Sequence, residues 1–217
     1  MAKYRYVFFD LDGTLTDSAE GITKSVAYAL EKFGIIVSDL SKLNRFVGPP
    51  LKEAFMRFYG LSQNDAIKAV EYYRERFRDV GIFENKVYDG IPQLLEKLND
   101  ADCKLIIATS KPEVFANRIL EHFNLTKYFS VITGATLDGK ISSKTEVLKY
   151  AFTLLGDIEK KHAIMIGDRY HDIDGARDIG IDSIGVLYGY GNLDELEKSG
   201  ATFIAETPDK ICDILLN

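Results

Sequence analysis

Two carboxylates one residue apart, Asp10 and Asp12, stand where an apolar strand should end. Tyr4-Arg5-Tyr6-Val7-Phe8-Phe9 is aromatic-rich and reads as a buried strand, and Asp10-Leu11-Asp12-Gly13-Thr14 follows it without a break. Acids in such a place are costly unless they are paired or bind a cation. Chemistry therefore explains this strand end better than folding does. Asp-x-Asp-Gly-Thr alone also fits a turn, and the aromatic strand ahead of it favours the chemical reading.

Other polar groups stand where later apolar runs end. Thr109-Ser110-Lys111 follows the run Lys104-Leu105-Ile106-Ile107-Ala108, and Gly167-Asp168 follows His162-Ala163-Ile164-Met165-Ile166, with Asp172 four residues beyond Asp168. Lys144 precedes the helix that leads to the second of these runs. Together they offer carboxylates for a hard cation, hydroxyls and an ammonium group. Mg²⁺ prefers oxygen ligands and binds one or two carboxylates plus substrate phosphate. Lys111 and Lys144 offer local positive charge in a chain whose net charge is -6.

The elements that must position these groups follow from periodicity. After Thr14 the pattern is helical for about seventy residues. Asp17 with Glu20 resembles a capping box. Ile22, Val26, Ala29, Leu30 and Phe33 form one apolar face ended by Gly34. Pro49-Pro50 starts a second helix with Leu51, Phe55 and Phe58, and a third follows Ser62 with Ala66, Val70, Tyr73 and Phe77 inward. From Gly90 onward, helices alternate with continuous apolar strands at 104–109, 129–133, 162–167 and 183–187, which implies a parallel sheet covered on both faces. The expected fold is α/β, a doubly wound, Rossmann-like parallel sheet with an inserted all-α helical-bundle cap. The core is discontinuous, residues 1–17 and 85–217, and the cap spans 18–84. Ligands in such sheets bind beyond the carboxyl ends of the strands, so the topology gathers the four polar clusters on one rim.

Composition sets the outer bounds. With 46% hydrophobic and 28% charged residues, the 217-residue chain has the make-up of an ordinary globular domain. The acidic balance and the lack of a long basic run argue against nucleic acid or an anionic membrane as partner. No apolar run is long enough to span a bilayer. Two cysteines, Cys103 and Cys212, make no disulfide framework, and no secretory leader is read at the start, so the expected compartment is the cytoplasm.

In order, Asp10-Leu11-Asp12-Gly13-Thr14-Leu15, Thr109-Ser110-Lys111, Lys144 and Gly167-Asp168-Arg169-Tyr170-His171-Asp172 resemble the four motifs of the haloacid dehalogenase-like (HAD) hydrolases. The resemblance covers essentially the whole chain, and the helical insert resembles that family's small α-helical cap. Among members the chain is most similar to the phosphoglycolate phosphatase and 5′-nucleotidase-like phosphatases. Asp138-Gly139-Lys140-Ile141-Ser142-Ser143-Lys144 and Phe46-Val47-Gly48-Pro49-Pro50-Leu51 contribute to that closer match.

The resemblance implies a Mg²⁺-dependent phosphomonoester hydrolase acting on a small phosphorylated metabolite, as monomer or homodimer. It implies Asp10 as nucleophile, forming an aspartyl-phosphate, and Asp12 as general acid and then base. Thr109, Ser110 and Lys144 would bind the phosphoryl group. Asp10, Asp168 and the backbone carbonyl of Asp12 would hold Mg²⁺, with Asp172 supporting the metal waters or Lys144. Two readings stand beside it: a phosphosugar mutase of the same superfamily, and a non-catalytic phosphometabolite-binding protein. Taken singly, Lys144 reads as a solvated surface lysine, and Gly-Asp-x-x-x-Asp as ordinary helix capping. Arg45, Gly48 and Tyr188 are candidates for selecting the leaving group, against a plain loop and helix start for the first two and a flexible Tyr188-Gly189-Tyr190-Gly191 loop for the third. His122, His162 and His171 lack paired metal-ligand spacing and receive no chemistry.

Overall fold

The computed structural model describes residues 3–216. The elements run in the order β1 (Tyr6–Phe9), β2 (Thr16–Asp17), α1 (Ala19–Glu31), α2 (Leu51–Tyr59), α3 (Gln63–Phe77), β3 (Lys86–Val87), α4 (Ile91–Asp100), β4 (Lys104–Pro112), α5 (Glu113–His122), β5 (Phe129–Ala135), α6 (Lys144–Leu155), β6 (Ala163–Gly167), α7 (Tyr170–Ile179), β7 (Asp182–Val186), α8 (Leu193–Ser199), β8 (Phe203–Ala205) and α9 (Pro208–Leu216). The chain divides into two compact units, Met1–Thr16 with Val87–Asn217, and Asp17–Lys86.

The first unit is built on a six-stranded sheet in the order β5-β4-β1-β6-β7-β8, every pairing parallel. β1 lies in the middle, where the strand order reverses. It pairs β4 on one side and β6 on the other, Phe8 facing Ile106 and Met165 in register. Successive side chains point to opposite faces, and both faces of β1 are buried: Val7, Phe8 and Phe9 have no exposure. Phe8 packs with Val147, Leu148 and Ala151 of α6 and Ala176 of α7, and stacks on Phe152 with ring centroids 5.2 Å apart. The α/β sheet architecture is therefore the one the alternating pattern implied.

The second unit is helical. α1 buries Ile22, Val26, Ala29 and Leu30, α2 buries Ala54 and Phe55, and α3 buries Ala66, Ala69, Tyr73 and Phe77. Val70, expected inward, is only half-buried, and Ala69 takes that place. A 3-10 stretch, Leu40–Phe46, supplies Leu43 and Phe46, and Phe46 packs 5.0 Å from the Phe55 ring. The expected Asp17–Glu20 box does not form. Ser18 is the N-cap of α1 without a side-chain cap bond, and Asp17 Oδ1 accepts from the Ala19 N–H at 3.3 Å.

Four differences from the sequence pattern lie in the sheet unit. β4 continues three residues past Thr109, because its pairing with β5 resumes after a register shift between Thr109 and Pro112. The sequence pattern also gives no sign of α8, β8 and α9. α8 is short and largely charged, and β8 has only three residues, so neither presents a long apolar period.

The start of α6 is fixed by a capping box. Ser143 Oγ accepts from the Glu146 N–H, while Glu146 Oε2 accepts from the Ser142 and Ser143 N–H groups at 2.9 Å each. Those backbone donors, Ser143 first, hold the Glu146 carboxyl at about 2 instead of 4.5. A carboxylate with a lowered native pKa stabilises the fold above its unfolded pKa, and that stability is lost as pH falls through the native value. Glu146→Gln keeps an acceptor but loses the charge at this exposed helix start, so it should cost about 0.3–1 kcal/mol at neutral pH, read as a fall in Tm of about 1–4 °C. The gap between variant and wild type should close as pH is lowered from 4.5 towards about 2. Thermal unfolding across that range checks it, and a gap that stays constant contradicts the assignment.

Candidate active site

The site is assembled at the carboxyl ends of the central strands. The Asp10 N–H still donates to the Ile166 carbonyl at 2.9 Å, so the first acid remains in the sheet ladder between β4 and β6. The chain then tightens. The Gly13 N–H donates to the Thr16 carbonyl at 2.8 Å, and the Leu15 N–H to the Leu11 carbonyl at 2.9 Å. Gly13 adopts φ +82°, and a Cβ there would strike the Asp168 carboxylate. Both the backbone and the close approach require glycine. The loop thereby lies against the end of β6.

Lys144, the first residue of α6, is buried. Its Nζ lies 2.9 Å from Asp10 Oδ1 and 2.8 Å from Asp172 Oδ1, and it donates to the Ala108 carbonyl at 2.8 Å. Burial opposes its charge, but Asp10 and Asp172 outweigh this and raise the ammonium pKa. The second lysine, Lys111, comes from the extension of β4. Its Nζ lies 2.7 Å from Asp12 Oδ2, with both side chains largely buried. Thr109 is buried beside it, and its Oγ1 accepts from the Lys111 N–H at 3.2 Å, while Ser110 is half-buried. Each acid of the opening pair thus meets a different lysine from a different element.

The third and fourth acids flank the start of α7. Asp172 is fully buried in the first turn, and its pKa is raised by burial and by Asp10 against the opposing pull of Lys144. Asp168 is also fully buried. Burial first, then Asp172 and Asp10, push its carboxyl well above the ordinary range. Its Oδ2 accepts from the Tyr190 N–H at 2.7 Å, whereas its Oδ1 is buried with no hydrogen-bond partner. Asp10, Asp168 and Asp172 each offer an oxygen within 4.8 Å of the others. Converging carboxylates, with one oxygen left unmatched and no nitrogen or sulfur donor among them, fit a hard divalent cation such as Mg²⁺.

The Tyr188–Gly191 segment belongs to this architecture. Tyr188 donates its hydroxyl to the Thr14 carbonyl at 3.0 Å, and its ring meets Tyr88 edge-on at 5.1 Å. A Cβ at Gly189 would collide with the Gly13 carbonyl and with Asp168. The segment therefore packs its backbone on Asp168 and on the loop that carries Asp12. Glu195 in α8 adds a tether, accepting from Arg169 Nε at 2.8 Å and from the Tyr170 N–H at 2.9 Å. Sequence reading missed both supports. One acts through a backbone N–H, and Glu195 looks like any acid in the first turn of a helix. His171, which carries no expected chemistry, is held neutral at about pKa 4 by burial, then by Arg169 and Lys144. Arg45 and Gly48 belong to the helical unit. There the Arg45 guanidinium lies 4.5 Å from the Phe58 ring centroid and 5.4 Å from that of Tyr59.

Residues 7–186 match the family model described as haloacid dehalogenase-like hydrolase. The chain belongs to that family. It is similar to a 5′-nucleotidase from Pseudomonas aeruginosa, 48% identical over 92% of this chain and 90% of that protein. It is also similar to the tyrosine-protein kinase PtkA of Mycobacterium tuberculosis, 42% identical over 96% of this chain and 72% of that protein. The crystal structure of a predicted phosphatase from Clostridium acetobutylicum superposes with a TM-score of 0.94 at 54% identity, covering 97% of both chains. Among the described residues, no helix is long and apolar enough to cross a membrane.

The unmatched charge on Asp168 generates a prediction. An acid whose native pKa is raised costs stability above its unfolded pKa, and the cost grows as pH rises towards the native value. In chelator at neutral pH, Asp168→Asn should therefore unfold at a higher temperature than the unsubstituted protein, by about 2–4 °C for each kcal/mol relieved. Added Mg²⁺ should raise the Tm of the unsubstituted protein and leave the variant nearly unmoved. Equal Mg²⁺ shifts for both would contradict the placement of the cation.

Proposed function

We propose that the protein is a cytoplasmic, Mg²⁺-dependent phosphomonoester hydrolase of this family, acting on a small phosphorylated metabolite through an aspartyl-phosphate. The observation that carries the reading is the separation of the two opening acids. Asp10 is tied to Lys144, and Asp12 is drawn off to Lys111. Two carboxylates one residue apart in the chain thus have different partners, as a nucleophile and an acid/base group require.

In this reading an Asp10 carboxylate oxygen attacks phosphorus. The bond from phosphorus to the leaving oxygen breaks, and Asp12 delivers a proton to that oxygen. Asp12 then takes a proton from water, which attacks phosphorus, and the Asp10–phosphorus bond breaks to release phosphate and restore the carboxylate. Thr109 and Ser110 donate hydroxyls to the phosphoryl oxygens. Lys144 balances the charge of the nucleophile and of the group in transfer. Asp10, Asp168 and the Asp12 backbone carbonyl would hold Mg²⁺, with Asp172 behind them. When bound, the cation supplies charge that lets an anionic nucleophile meet an anionic phosphate.

The likeness to the Pseudomonas 5′-nucleotidase favours a nucleoside monophosphate over phosphoglycolate as substrate. Arg45 and Gly48 are the proposed leaving-group selectors. The Arg45 guanidinium, stacked on Phe58 and Tyr59, presents charge and a planar surface. Tyr188 is instead assigned to supporting the loop after β1, since its hydroxyl is engaged by Thr14. The PtkA likeness supports a second reading, in which the aspartyl-phosphate is passed to a tyrosine hydroxyl instead of water.

A phosphate-release screen over nucleoside monophosphates, phosphoglycolate, phosphosugars and p-nitrophenyl phosphate tests the proposal. Mg²⁺-dependent release should appear and should fall about 10³-fold or more in Asp10→Asn. Activity undiminished in that variant would remove the mechanism. Sugar-phosphate isomers formed without free phosphate would select a mutase. Label passed from a phosphate donor to protein tyrosine would select the kinase-like reading. Binding without turnover would select a non-catalytic protein.

A further inference from the structure

Each buried lysine is paired with a different acid of the opening motif: Lys144 meets Asp10, Asp172 and the Ala108 carbonyl, and Lys111 meets Asp12. Lys111 sits against the one acid that must turn to a leaving group. The pair is 2.7 Å apart and nearly excluded from water, and Asp12 Oδ1 is buried without a hydrogen-bond partner. A desolvated pair of this kind resists separation unless another charge replaces the partner that leaves.

Charge counting names the replacement. Asp10, Asp12, Asp168 and Asp172 bring four negative charges when ionised, and Lys111 and Lys144 bring two positive ones. A divalent cation would balance the remainder. An incoming phosphoryl dianion then adds negative charge beside Asp12, and Lys144, shared between Asp10 and Asp172, balances only part of it. Lys111 stands on β4 two residues after Thr109, whose hydroxyl the phosphatase reading gives to the phosphoryl oxygens, and its N–H donates to that same Thr109 Oγ1.

We propose that Lys111 is a substrate-exchanged cation: it holds Asp12 aside in the substrate-free enzyme and passes to a phosphoryl oxygen of the bound substrate, releasing Asp12 to the leaving group. The inference rests on the phosphatase reading and adds to it a residue that couples substrate charge to the position of the acid/base. One ion pair replaces another in the exchange, and the freed Asp12 carboxylate then takes up a proton from solvent, the proton it later delivers to the leaving oxygen.

The test is a double-substitution cycle read by calorimetric binding of inorganic phosphate in Mg²⁺, with Lys111→Met, Lys111→Arg, Asp12→Asn and the combination of Asp12→Asn with Lys111→Met. Lys111→Met should weaken phosphate binding about tenfold, about one charge-assisted contact, and Lys111→Arg should restore most of it. Asp12→Asn should tighten binding several-fold, because Lys111 no longer has to leave a carboxylate. That gain should vanish when Lys111 is Met. If instead Asp12→Asn tightens binding equally in both backgrounds, simple repulsion by Asp12 explains it, and the exchange is overturned. Unchanged binding in Lys111→Met makes the lysine a brace and overturns it too. Should Lys111→Met not fold, a Lys111→Gln background replaces it, and the Asp12→Asn tightening should be lost there in the same way. An unsubstituted protein that binds no phosphate and hydrolyses no phosphomonoester overturns the phosphatase reading itself, an outcome distinct from the others.

Discussion

Four carboxylates are buried at one end of one sheet, and the rest of the unit is arranged around that charge. Desolvated acids repel one another and resist ionisation, as the raised pKa values of Asp168 and Asp172 show. The chain answers with two buried lysines on separate elements, and with an acid cluster in which the unmatched Asp168 Oδ1 calls for a cation. A neutral His171 avoids adding a competing positive charge beside Lys144. The buried acids are retained at a cost in stability, and the cost is intelligible if they do chemistry.

Parallel topology makes the concentration possible. β1 lies where the strand order reverses, so its carboxyl end faces the ends of β4 and β6 at once. Residues separated by more than 150 positions in sequence, such as Asp10 and Asp172, can then share one lysine. Precision comes from backbone packing. Gly13 and Gly189 leave no room for a side chain against Asp168, the Tyr190 N–H fixes one of its oxygens, and the Ser143–Glu146 box sets where Lys144 begins its helix. These supports are what a preorganised site needs, since groups already in place spend no energy on reorganisation during reaction.

Much of this was legible in the sequence. Asp10 and Asp12 announced themselves because acids directly after an aromatic strand have no structural motive. Alternating apolar strands and helices gave the sheet. Lys144 and Asp168 were legible only in combination, since each alone resembles a surface lysine or a helix cap. The partner of Lys111 was not legible. It depends on a strand extension produced by a register shift between β4 and β5, which no local pattern records. The Tyr188–Gly191 segment read as a loop because its glycines are required by Asp168, a residue well before them in the chain that only the fold brings near. The short, charged α8 escaped notice for want of an apolar period, and with it the Glu195 tether.

In the proposed reaction Asp10 becomes covalently phosphorylated. Acid quenching during turnover of p-nitrophenyl phosphate, followed by borohydride reduction and peptide mass spectrometry, tests it directly, because borohydride converts an aspartyl acyl phosphate to homoserine. Homoserine is expected at position 10, only when substrate and Mg²⁺ are both present. Continued turnover with Asp10 unmodified, or with the label at another acid, would contradict it.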